Sequence, residues 1–161
     1  MQKIHEYLGM IVRNAQILEQ HLAFIVANDA FVKRSSLLTK GDDFEDLVKE
    51  NDVYLKELLS MPLGDLMEQA DRNRSVSLEI LATVDRNRIE RNYAVHRLFK
   101  LSDDLSWTTD GGGSKTKDEV EARLKKLVDE TYDLERRLIT VRNELAHKYN
   151  GIFGKHVNGR K

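Results

Sequence analysis

Apolar residues recur at alternating steps of four and three at both ends of this chain. Ile4, Leu8, Ile11, Ala15, Leu18, Leu22 and Ile25 do so near the start, with Val12 and Val26 widening the stripe. Val120, Leu124, Leu127, Thr131, Leu134, Leu138, Val141 and Leu145 repeat the pattern further along. An α-helix that buries one face needs this spacing. It predicts a first helix over about residues 2–33 and a long last helix, of about 30 residues, ended by Gly151 and Gly154. Between them, Gly41-Asp42-Asp43 supplies a start signal for a helix from Phe44 to about Ser60. Pro62 suits the first turn of a short element, Leu63-Gly64-Asp65-Leu66-Met67. The polar run Asp71-Arg72-Asn73-Arg74-Ser75 then precedes a helix of about residues 76–100. Pro62 is the sole proline in 161 residues, so few breaks are enforced. The pattern predicts an all-α fold, an antiparallel four- to five-helix bundle.

The expected organisation is one domain over residues 1–150, a flexible loop at about 102–117 and a basic tail over 151–161. The loop carries Trp107 and Asp110-Gly111-Gly112-Gly113-Ser114, and the tail Lys155, His156, Arg160 and Lys161. Composition narrows the chemistry. Zero cysteine excludes a disulfide scaffold, a thiolate nucleophile and zinc held by cysteine. With 26 Lys plus Arg against 27 Asp plus Glu, no global basic field exists to coat nucleic acid. A small cleft of Arg and His needs no such excess. Glu6, Arg13, Glu19 and Asp29 interrupt any signal-peptide core, and no apolar run approaches a bilayer span. The expectation is a cytoplasmic protein with no membrane partner.

The helix at about 76–100 departs from its neighbours. Its stripe reads Leu78, Ala82, Asp85, Ile89, Asn92, His96 and Phe99, so three polar residues stand where apolar ones are expected. Asn92 and His96 are four apart and share a face, which lets an amide orient an imidazole. Arg91 precedes Asn92, and its side chain is long enough to reach the same side. A guanidinium beside an imidazole suits phosphoryl chemistry: His moves protons, and Arg holds charge developing on phosphate. The alternative use of Asn92 and His96 is a buried polar pair that fixes helix register. Arg86-Asn87-Arg88 with Arg91 and Arg97 forms a local basic patch, although Asp85 and Glu90 make a solvated helix face an equal reading.

The spacing occurs twice. Arg91-Asn92-Tyr93-Ala94-Val95-His96 is matched by Arg142-Asn143-Glu144-Leu145-Ala146-His147. Two Arg-Asn-x-x-x-His strings in a helical chain resemble the signature of the HEPN domains, small four- or five-helix bundles. The resemblance extends to Leu63-Gly64-Asp65-Leu66 ahead of Glu90-Arg91-Asn92, with Phe99 after His96. The second copy resembles a toxin-type version with a Tyr two residues after the His, here His147-Lys148-Tyr149. The likeness covers roughly residues 4–149.

That resemblance implies a metal-independent endoribonuclease of toxin–antitoxin, phage-defence or RNA-processing type, with no cofactor. It also implies a homodimer in which Arg and His residues of two protomers face one another. Carried over, His96 would deprotonate the ribose 2′-hydroxyl or protonate the leaving oxygen, Arg91 would stabilise the transition state, and Asn92 would orient the base or phosphate. Products would carry a 2′,3′-cyclic phosphate. The first set is preferred. Arg142, Asn143, His147 and Tyr149 form the second candidate set, with Asn143 and His147 off the apolar seam on a polar column with Thr140 and Asn150. Partners implied are RNA or a nucleotide, and a cognate antitoxin or nucleotidyltransferase. Family membership does not settle activity, so a non-catalytic interaction or nucleotide-binding module is the alternative.

Other constellations carry less. Glu144-x-x-His147 has no second Glu-x-x-His to complete a di-iron site, and no metal is expected. The glycine triplet has no following Lys-Ser/Thr and is not a phosphate loop. Trp107 could stack on a base or partner, or tuck against the bundle end.

Overall fold

A computed structural model describes residues 2–38, 43–98, 107–108, 114–115 and 117–158. Five helices account for nearly all of them: α1 (Gln2–Ser35), α2 (Phe44–Ser60), α3 (Leu63–Arg72), α4 (Leu78–Leu98) and α5 (Lys117–Asn158). The fold is all-α, a helical bundle. Two residue pairs, β1 (Trp107–Thr108) and β2 (Ser114–Lys115), join antiparallel. The rest of the loop expected at 102–117, its glycine triplet included, lies outside the described residues apart from Lys117, as do Gly41, Asp42 and Phe99. No helix among the described residues is long and apolar enough to cross a membrane.

Local chemistry explains most of the boundaries. Lys33 and Arg34 sit in the last turn of α1, where cations complement the helix dipole, and the Ser35 and Ser36 hydroxyls donate back to Val32 and Lys33 carbonyls. Asp43 caps α2, its carboxylate accepting from the Glu45 amide at 2.8 Å. Pro62 takes the residue before α3, and its carbonyl accepts from Leu66. Arg74 then turns the chain with φ of 53°, letting Ser75 N–H reach the Ala70 carbonyl at 2.9 Å. Ser77 opens α4 by accepting from Ile80 N–H.

Two expectations are corrected. The last helix does not stop at Gly151: Gly151 and Gly154 both lie inside α5, which runs to Asn158. Each glycine weakens the helix by about 0.5–1 kcal/mol relative to alanine, but Ile152 packs on the core and Phe153 and His156 lie against Phe44, so packing overrides propensity. The stripe read on α4 also faces outward. Leu78 is 74% exposed and Ile89 54%, while the helix buries Ile80, Leu81, Val84, Asn87 and Ala94. Both lines have helical spacing and similar apolar content. The buried one wins because it brings two adjacent large residues, Ile80 and Leu81, inward together.

The helices divide between two compact units. The first takes α1 up to Ile17 and Ala82–Leu134. Its core joins Ile4, Leu8 and Ile11 of α1 to Ala94 of α4 and Val120, Leu124, Leu127 and Val128 of α5. Here α4 and α5 are antiparallel, since Asn87 meets Thr131 while Glu90 meets Arg123. The second unit takes Leu18–Leu81 and the chain from Glu135 onward. In it α1 and α5 run in the same direction, with His21 beside Glu135 and Arg142, and Phe31 beside Tyr149. The turn after α3 is pinned to α1 by Asp29, which accepts from Ser75 Oγ at 2.8 Å and pairs with Lys33. Lys33 also donates to the Asn73 carbonyl.

Candidate functional site

Of the two Arg-Asn-x-x-x-His strings, the first lies on α4 in the first unit and the second on α5 in the second unit. Each is built locally and has different surroundings.

On α4, Arg91 continues the buried line of Asn87 and Ala94 and is itself half-buried. Its Nε donates to Asn92 Oδ1 at 3.2 Å. The amide oxygen therefore anchors the guanidinium of its chain neighbour. Asn92 is half-buried, and His96, one turn further, is exposed on the same side. Exposure removes the reading of Asn92 and His96 as a buried register-fixing pair. That role belongs to Asn87, whose Nδ2 donates to Thr131 Oγ1 at 2.7 Å, while the Thr131 hydroxyl donates to the Leu127 carbonyl at 2.6 Å. The signal for it was in the sequence: Asn87 lies three residues beyond Val84, and Thr131 sits on the α5 apolar seam.

The basic patch around this string is largely compensated. Arg88 directs two N–H groups at Asp85 Oδ1, at 2.7 and 3.0 Å. Arg123 of α5 grips Glu90 at 2.5 and 3.2 Å and lies 5.6 Å from the Tyr93 ring centroid. Beside them, Arg86, Glu90, Arg123, Lys126, Leu127 and Glu130 line an open cleft of about 390 Å³ between α4 and α5. Three cations against two carboxylates leave it slightly positive. The Arg97 and Trp107 side chains lie outside what the structure describes.

The second string is dispersed. Arg142 is half-buried, with its Nη1 3.3 Å from His21 Nδ1 and its guanidinium carbon 4.6 Å from the Phe24 ring centroid. Tyr149 enters an aromatic cluster, 4.4 Å from Phe31 and 6.5 Å from Phe153 between centroids. Burial, and secondarily Asp52, pushes its phenol pKa up, as suits a packed ring rather than a proton donor. Asn143 and His147 face solvent. The structure therefore groups Arg142 with His21 and separates it from Asn143, His147 and Tyr149. Five residues of helix rotate two side chains about 140° apart, so Arg142 turns inward when His147 points out, and the same offset separates Arg91 from His96 on α4.

His21 escaped the motif reading. It is 9% exposed, and Glu135 Oε1 lies 3.8 Å from its Nε2. Burial, then the Arg142 charge, holds its pKa below 6.5, with Glu135 opposing. Its sequence signal is positional: three after Leu18 and four before Ile25, it stands on the α1 stripe. Among the described residues no group of three His, Asp or Glu side chains is arranged to hold a metal ion. Comparison with known protein families, curated proteins and solved structures finds no match to this chain.

Proposed function

We propose that the chain is a HEPN-like protein that acts on RNA as a metal-independent endoribonuclease, through Arg91, Asn92 and His96 paired across a homodimer. The observation that carries this reading is the arrangement on α4: Asn92 tethers the Arg91 guanidinium and, one turn beyond Asn92, the His96 imidazole faces solvent. A transesterification needs a proton carrier open to substrate and a fixed cation for the phosphorane-like charge. His96 supplies the first and Arg91 the second. The outward face of α4 also carries Ile89, 54% exposed, between Asp85 and Asn92. An apolar residue there gives a second protomer something to bury, and its pairing brings two strings together. The second string supports catalysis less well, because Arg142 is occupied by His21 and Phe24.

The test is incubation of the purified chain with total RNA in EDTA, followed by analysis of the new ends. The expected products carry 2′,3′-cyclic phosphate. The same exposed Ile89 favours a second reading, a non-catalytic module that presents this face to an antitoxin, a nucleotidyltransferase or a nucleotide. Intact RNA with a nucleotide-dependent rise in Tm, or with a stable protein complex through α4, would select that reading instead.

A further inference from the structure

In the second unit one imidazole is set between groups of opposite charge. Arg142 Nη1 is 3.3 Å from His21 Nδ1, and Glu135 Oε1 is 3.8 Å from Nε2. Both come from α5. Among the described residues these are the charged groups that act on the ring.

A guanidinium has donors and no acceptor, so its bond to Nδ1 fixes the lone pair there and the proton on Nε2, facing Glu135. Arg142 is held a second time by the Phe24 ring. One added proton changes both sides of the imidazole. Nδ1 then turns an N–H toward the N–H groups of Arg142, charge against like charge. Nε2 meanwhile gains a full charge toward the Glu135 carboxylate.

We propose that His21 is a proton-operated catch on Arg142. Uncharged, it holds the guanidinium against Phe24; protonated, it draws closer to Glu135, which it already faces, and releases the guanidinium to solvent. The stronger Glu135 contact offsets the loss of the Arg142 one. The catch is closed at neutral pH and opens on acidification. The guanidinium of the second string, charged throughout, is then open to solvent only in acid. This inference is independent of the ribonuclease reading.

The experiment is NMR titration of the full chain from about pH 8 to about pH 4.5, following the His21 ring nitrogens and the Arg142 side-chain protons. At high pH His21 shows the Nε2–H tautomer, and the Arg142 protons lie upfield in the Phe24 ring current. As His21 takes up its proton, those signals move to the positions of a free arginine with the same midpoint. Glu135→Gln lowers that midpoint by about half a pH unit, a threefold change in proton affinity. His21→Gln, whose amide oxygen can replace the Nδ1 acceptor, keeps Arg142 upfield throughout. Arg142 signals that stay fixed while His21 titrates would overturn the proposal, as would an unchanged midpoint in Glu135→Gln. If His21→Gln does not fold, the wild-type and Glu135→Gln titrations decide alone.

Discussion

Asn87 and Thr131 meet inside the first unit, the Asn87 amide donating to the Thr131 hydroxyl at 2.7 Å with both residues buried. Thr131 passes the chain on to the Leu127 carbonyl, so the Asn87 amide is tied through Thr131 to the α5 backbone. A buried donor left without its acceptor loses about 1–3 kcal/mol. Thr131→Val is therefore expected to lower stability by that order. In a double-mutant cycle, Asn87→Leu with Thr131→Val should cost less than the two single changes summed. Urea titration of the four proteins measures it, and strict additivity would remove the pair from the account of register.

Asn14 is the converse case. It is 3% exposed on α1, and its Nδ2 finds no acceptor among the described residues. Asn14→Leu keeps the branching at Cγ and removes the orphan donor. Stability should rise by about 1 kcal/mol, seen as a Tm increase of about 2–4 °C. A fall in Tm would mean that the amide has a partner in solution.

Gly151 offers a similar gain for a different reason. It lies within α5, and a Cβ built there meets nothing within 4 Å. Gly151→Ala should add about 0.5–1 kcal/mol through the unfolded chain's lost freedom. The change should also raise helicity by circular dichroism, whereas an α5 that truly ended at Gly151 would show neither effect.

The pH dependence of stability follows from His21. Burial and Arg142 lower its pKa in the folded chain, so the imidazole stays neutral there at pH values where the unfolded chain, near 6.5, already binds a proton. Stability is therefore full above about pH 6.5 and falls as pH drops below it toward the lowered value. Chemical denaturation across that range should show the decline in wild type and a flatter profile in His21→Gln. Equal slopes would place the acid sensitivity elsewhere.

The helical elements were legible because long periodic stripes leave little choice of structure. α1 and α2 end within two residues of where spacing and capping place them. Legibility failed where two lines on one helix carried similar apolar content, as on α4. It failed again where packing outweighed a local breaker, as at Gly151 and Gly154. Of the candidate residues, spacing identified the strings but not the partners of their arginines. Asn92 adjoins Arg91 in sequence, so that contact was open to reading. The contact of His21 with Arg142 spans 121 positions, and no local pattern encodes it.

The central claim, that the α4 string carries the chemistry, is tested most directly by comparing His96→Ala with His147→Ala on RNA in EDTA. Loss of a proton carrier costs about 10²–10⁴-fold in rate. His96→Ala should lose cleavage on that scale, while His147→Ala stays within a few-fold of wild type. Cleavage that survives His96→Ala and disappears in His147→Ala, or that is equal in all three proteins, would contradict the account.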